Sequence, residues 1–413
     1  MPRKILEMLK NAVIVLLLLN IVLLTLMALP GSIVSQMSLP GFVMDFLGVQ
    51  QEDAPVLSSP DRHKAAAMPT LISIQQEAGR ASVRRNPAAM EMAFDRFSGF
   101  LGQALLTAEN PTPKQDWDML SLQGVLFSYD GGVPAQALSQ WLSEADGAVQ
   151  GTFGTYVLAC QEEGVSLYTV GDDEILCYTT QVSSTSLSAY LSAYTPDGTA
   201  FAFQRAGVAV DPLTLWESPV TLQNYSVSIP SGRDFANRIA SALDFNPYGS
   251  GVYSGLDGST VYNEGERSVT VYTNGSLVLS IAGEGYTRFS ALSSSPADII
   301  HAAGNLLDVV CSNTKGDAQM YLCGFSQEGG ITTLTYRYIL DGVPVYPACG
   351  KITFEGTALA SLSLSVRSFS QRDSGVTLLP IGQAAAISEA GKRLIPAYDL
   401  SANGTVSPGW RAQ

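Results

Sequence analysis

In a chain of 413 residues the groups most able to do chemistry are few: two histidines, His63 and His301, and five cysteines, Cys160, Cys177, Cys311, Cys323 and Cys349. A serine or cysteine nucleophile needs a base, usually His, steered by a third group. His63 falls in a stretch of prolines and polar residues and reads as a solvated linker position. His301 follows Ile300 on a capped helix, and at ~100° per residue it turns away from the apolar stripe, toward solvent or an interface. The cysteines contain no C-x-x-C, so neither a zinc ribbon nor a thioredoxin-like pair is written here. Cys160 with Cys177, on neighbouring predicted strands, is the favoured disulfide, and unpaired core thiols are the equal alternative. Asp172-Asp173-Glu174 is the densest carboxylate run, but it lacks the spaced oxygen ligands and central Gly of an EF-hand and reads as a solvated turn, as does Glu264-Gly265-Glu266. No phosphate-binding loop of the Gly-x-x-x-x-Gly-Lys-Ser/Thr type occurs. No catalytic residue, cofactor-binding residue, cofactor or metal ligand is assigned.

The element that must position everything else is the stretch Asn11 to Pro30. Ala12 to Leu29 gives 18 residues without a charge, which at ~1.5 Å per residue crosses most of a ~30 Å hydrocarbon layer. Arg3, Lys4 and Lys10 precede it, so the positive-inside bias keeps the N-terminus cytoplasmic and exports the chain beyond Leu29. A cleaved signal peptide is the competing reading, disfavoured by the length of the apolar run and by its Leu-Met-Ala-Leu-Pro-Gly ending. Asn20 lies mid-run, and an amide in hydrocarbon seeks another helix or its own carbonyls. Asn20, with Leu16 and Leu23 beside it, is the expected contact with a partner's membrane helix.

Beyond the anchor 20 Lys+Arg face 36 Asp+Glu, a balance that repels nucleic acid and anionic lipid. Residues 31–66 read as a stalk with an apolar patch at Phe42 to Leu47. Three α+β domains are expected, at 67–150, 151–250 and 251–413, with antiparallel sheets and packed helices, because no regular βαβ alternation appears. In the first, a strand at Met68 to Gln75 precedes a helix capped by Asn86 with Pro87 at its first position, and Met90, Phe94, Phe97, Leu101 and Leu105 form one apolar face. Pro111 and Pro113 are read as its end. A short helix around Trp117 follows, then a strand from Val125 to Tyr129 turned by Asp130-Gly131-Gly132, and a helix from Val133 to Leu142. Strands are expected at Thr155 to Cys160, Val165 to Val170, Glu174 to Thr180 and Ala200 to Ala206, then a helix capped at Ser231. The last segment offers a hairpin around Asn274-Gly275 and a helix opening at Ser295. Strands follow at Met320 to Phe325, Ile331 to Leu340, Lys351 to Glu355 and Leu359 to Phe369. A helix near Gln383 and a hairpin around Asn403-Gly404 complete it. The two Ser-x-x-Asp helices suggest structurally related units.

The anchor, AAAMPTLISIQQEAGR, WDMLSLQGVLFSYDGGVPAQALSQWL, YRYILDGVPVYP and RLIPAYDLSANGTVSPGW together resemble the YycH/YycI-type regulatory proteins of Gram-positive bacteria, the last domain being YycI-like. The resemblance implies a single-pass protein of the cell membrane with its C-terminal domains extracytoplasmic. It implies modulation of the sensor histidine kinase of the cell-wall two-component system by protein contact, with a paralogous accessory protein as a further partner and without catalysis. His301 and Tyr346 mark the expected outer interaction surface. Two alternatives stand beside it: a cell-envelope module binding a wall polymer or peptide in a groove beside DGVPVYP, where a ligand strand would add to the sheet, and, more weakly, an anchored hydrolase.

Overall fold

A computed structural model describes residues 66–413 apart from 172–173, 284–287, 313 and 402–403. The expected membrane helix with Leu16, Asn20 and Leu23, the stalk, His63, Asp172 and Asp173 lie outside the described residues. Among the described residues no helix is long and apolar enough to cross a membrane.

The first half of the described chain runs β1 (Leu71–Gln76), β2 (Gly79–Val83), α1 (Pro87–Thr107), β3 (Glu109–Lys114), β4 (Gly124–Pro134), α2 (Ala135–Ser143), β5 (Thr152–Gln161), β6 (Gly164–Val170), β7 (Ile175–Thr179) and α3 (Ser184–Leu191). Its strands form a seven-stranded antiparallel sheet, ordered β2-β1-β4-β5-β6-β7-β3. Period-2 alternation splits β4 between two cores: Val125 and Phe127 face the helices, while Leu126 turns to the opposite layer around Met119, Leu120, Phe201 and Leu213. Helix α1 forms as its sequence requires. The Asn86 side chain accepts from the Ala89 N–H at 3.0 Å, Pro87 occupies the first turn, and Met90, Phe94, Phe97, Leu101 and Leu105 are buried on the sheet.

The chain continues through β8 (Ala200–Phe201), β9 (Leu215–Trp216), β10 (Thr221–Ser228), α4 (Arg233–Ala242), β11 (Val252–Ser254), β12 (Thr260–Glu264), β13 (Arg267–Val271), β14 (Ser276–Ile281) and α5 (Pro296–Cys311). It ends with β15 (Gln319–Glu328), β16 (Ile331–Leu340), β17 (Val343–Tyr346), β18 (Gly350–Glu355), β19 (Ala358–Ser365), β20 (Ser368–Thr377), α6 (Ile381–Ile387), β21 (Leu394–Leu400) and β22 (Val406–Ala412). Eleven of these strands make a second sheet, β11-β12-β13-β14-β19-β18-β16-β17-β21-β22, with β15 added beside β16. All its pairs are antiparallel except β17 with β21. Helices α4 and α5 bury Phe235, Ile239, Ile299, Ala303 and Leu306 in one core against Val269, Leu277, Leu334 and Ile352 of this sheet.

The α+β class and the antiparallel sheets stand as expected; several local expectations are corrected. The segment with Pro111 and Pro113 is an exposed edge strand, β3, where a missing N–H is tolerated. The expected strand at 200–206 is two residues long and then turns into a 3-10 helix. Gly232, not Ser231, is the cap residue of α4. The single strand expected from Leu359 to Phe369 is two, β19 and β20, and β20 leaves the sheet to pair with β10. Cys160 and Cys177 sit on β5 and β7 with β6 between them, and all five cysteines are free thiols. The two Ser-x-x-Asp helices, α4 and α5, share one sheet and one core.

The described residues, from 66 to 413, fall in one compact unit. The boundary expected at 150/151 falls inside the first sheet, where β4 and β5 pair across it. The one at 250/251 is crossed by the packing of α4 on the second sheet. Helix α2 joins the halves: Leu138 belongs to the first core, Ala137 to the second, and Trp141 packs against both.

Candidate functional site

The two sheets meet where β4 was expected to turn. Asp130-Gly131-Gly132 does not reverse the chain; β4 runs on to Pro134, and four of its residues, Tyr129 to Gly132, bulge out opposite Gly154 before the pairing resumes at Val133 with Phe153. Gly131, at φ +96°, makes the bulge, and its backbone lies so close to β15 that a Cβ would collide with the Cys323 carbonyl oxygen. The bulge delivers Asp130 into the junction. There Arg337 of β16 donates to both carboxylate oxygens at 2.6 Å, with both side chains nearly buried. Burial pushes the Asp130 carboxyl up, against the opposing pull of the Arg337 charge and its hydrogen bonds.

Arg337 also stacks on Tyr346, its guanidinium carbon 3.8 Å from the ring centroid, and Arg411 covers the other face at 4.0 Å. The Gln413 side-chain amide donates to the Tyr346 hydroxyl. Tyr346 is therefore only 7% exposed, which corrects its assignment to the outer surface. The strand addition expected beside it is also closed, because β17 already has β16 on one side and β21 on the other. His301 lies half-buried on α5. Glu174 is exposed, and Glu264 pairs with Arg267 at 2.6 Å across the expected turn.

Beside this core of the junction is a cavity of about 100 Å³. Its walls come from seven stretches of chain: Thr70 and Leu71, Arg84 and Arg85 after β2, Ser128 to Asp130 at the bulge, Leu215 and Glu217 at β9, Gly342 to Pro344, Arg393 to Pro396 leading into β21, and Gln413. The wall at Gly342 is a two-residue hairpin, Asp341-Gly342, with Leu340 opposite Val343 and positive φ at both turn residues, as Asp-Gly favours. A Cβ on Gly342 would stand 2.9 Å from the Arg85 backbone nitrogen. Arg85 itself holds φ +56°, a strained backbone for a residue with a side chain.

Charge is the distinctive property here. Arg84 and Arg85 both donate to one carboxylate oxygen of Glu217, and the Arg393 guanidinium donates to the Ser128 hydroxyl at 3.1 Å. Three guanidiniums line the cavity, and Glu217 is the one lining carboxylate not already held by Arg337. Asp197 attracts Arg84 and Asp211 attracts Arg393, but Asp197 accepts from the Ser82 and Thr199 N–H groups and Asp211 from that of Leu213. Arg84 Nε, Arg85 Nη1 and Arg393 Nε are buried without a hydrogen-bond partner. Burial, then the charge of Arg85, lowers Arg84 to about 10 despite the attraction of Asp197; burial also lowers Arg85 and Arg393. Cations held this way are stabilised by an added anion.

Sequence reasoning passed over these arginines. The available signal was Arg84-Arg85, an adjacent pair in a chain with only 23 basic residues, set directly before a capped helix. Among the described residues no cluster of three or more His, Cys, Asp or Glu is placed to hold a metal. Comparison of the chain with protein-family models, curated proteins and solved structures finds no match.

Proposed function

We propose that this chain is a membrane-anchored, extracytoplasmic regulator that works by binding, not catalysis: its folded part takes an anionic ligand at the junction of the two sheets and acts on a membrane partner by protein contact. The observation that carries the binding half is the cavity lined by three guanidiniums, two of them sharing the Glu217 carboxylate and the third donating to Ser128, inside an otherwise acidic protein. Such a site attracts anions and orients them through planar, bidentate donors. The identity of the partner, a cell-wall-sensing histidine kinase together with a paralogous accessory protein, rests on the resemblance of the sequence motifs to the YycH/YycI type, and membrane anchorage rests on the apolar run Ala12 to Leu29.

Co-purification from detergent extract, with mass identification of the proteins retained by the full-length chain, tests the partner. Recovery of a sensor kinase, reduced by Asn20→Leu while the outer part stays folded, is the expected result. Recovery of no membrane protein overturns the partner assignment and leaves the anion site to be judged by direct titration.

A further inference from the structure

Arg85 lines more than the arginine cavity. A second cavity, of about 430 Å³, adjoins it and shares Thr70, Arg85 and Gly342 in its lining. Its walls are mixed: Met68, Met90 and Met320 with Pro87 and Ile339 give an apolar side, and Glu91, Asp308 and Lys315 a charged rim. Unbranched thioether side chains make an adaptable apolar surface that re-forms around varied shapes. Arg85 thus stands between a cationic chamber and a methionine-lined one. An inorganic oxyanion has no use for the methionine side of the second, whereas a ligand with a charged head and an apolar body would use both.

Resting on the reading of the junction as the ligand site, we propose that its ligand is a carboxylate with an apolar body, the carboxylate held by Arg85 with Arg84 and Arg393 and the body lying among Met68, Met90 and Met320. The carboxylate end of a short peptide and that of an acyl chain share this chemistry. Glu217 then has a defined effect. It holds Arg84 and Arg85 in place, but it also competes with the ligand for their donors, so its removal strengthens binding even as it loosens the fold. Met68 and Thr70 lie at the start of the described chain, so occupancy of this cavity touches the residues that lead back to 1–65.

The test titrates full-length protein in detergent with four probes by calorimetry: N-acetyl-alanyl-leucine, its C-terminal amide, octanoate and inorganic phosphate. The expected result is binding of the dipeptide acid or octanoate, the tighter of the two identifying the source, with the amide and phosphate at least tenfold weaker. Arg85→Gln lowers the affinity of the preferred acid at least tenfold, Glu217→Gln raises it severalfold, and Met320→Gln weakens it while leaving the weak binding of phosphate unchanged. A site whose arginines were purely structural would lose affinity in Glu217→Gln as well, so the opposite signs separate the two roles even where Arg85→Gln folds poorly. Tight phosphate binding with no preference for the acids overturns the ligand class and leaves the anion site standing. Equal binding of acid and amide overturns the part given to Arg85. Binding of no probe overturns both the ligand class and the site.

Discussion

Replacing Asp130 with alanine removes the acceptor of both Arg337 hydrogen bonds and leaves that guanidinium charged at the junction. Both side chains are largely buried, at 6% and 13% exposure, so water does not take over the lost contacts. Truncating one member of such a pair costs about 3–5 kcal/mol, most of it the uncompensated charge left behind. Two neighbours adjust the figure in opposite directions. The stack of Arg337 on Tyr346 retains part of its attraction, which argues for the lower end. The bulge that holds Asp130 is pressed against β15, which denies the site relaxation. The partner change, Arg337→Met, leaves Asp130 in a dry site whose carboxyl burial already pushes upward. With its folded pKa above the unfolded value, the Arg337→Met protein gains stability relative to the parent as pH falls and loses it as pH rises through the folded pKa. The double variant Asp130→Leu with Arg337→Met replaces charge with apolar volume and should lie within about 1 kcal/mol of the parent. Urea unfolding of the parent, Asp130→Leu, Arg337→Met and their double variant, followed by tryptophan fluorescence, gives the cycle, with Asp130→Ala measured beside it and an expected coupling of at least about 2 kcal/mol. Single variants within about 1 kcal/mol of the parent, or a double variant that loses the sum of both, would refute the claim that this pair joins the sheets.

Other perturbations test neighbouring claims. Gly131→Ala puts a methyl group against the Cys323 carbonyl at a positive φ; overpacking and backbone strain together should cost about 2–4 kcal/mol by the same unfolding assay, while Gly99→Ala on α1, where a Cβ meets nothing within 4 Å, should be neutral or stabilising. Asn86→Ala removes the acceptor for the Ala89 N–H at the start of α1 and should lower stability by about 1 kcal/mol, with Asn86→Asp retaining most of it. At Asp197 burial works to raise the carboxyl, but hydrogen bonds from Thr199 and Ser82 outweigh it and hold it below 3.8. Its contribution is therefore full above that value and lost as pH falls through the lower folded value, so the stability gap between parent and Asp197→Asn should narrow in acid and stay level from pH 5 to 7.

The local elements were legible because their causes are local. Asn86-Pro87 with apolar residues at spacings of 3 and 4 writes α1, Ser295-Pro296 writes α5, and Asn274-Gly275 writes the β13–β14 hairpin. In each, a cap, a fixed φ or a turn preference acts within a few residues. The junction was not legible in that way. Asp130-Gly131-Gly132 carries the same signal for a hairpin as for a bulge, and only the pairing of Val133 with Phe153, set by the rest of the sheet, chose the bulge. Tyr346 read as exposed because nothing near it in sequence announces that Arg337 and Arg411 will close on both faces. Apart from the adjacency of Arg84 and Arg85, these two, Glu217 and Arg393 carry no local sequence signal, because each lies in a short connection or at a strand end. The sequence by itself determined the α+β class, the capped helices, the tight turns and the acidic excess. The tertiary structure alone decided that two sheets would share one boundary and gather three arginines there, because that arrangement depends on residues hundreds of positions apart whose burial is a property of the whole fold.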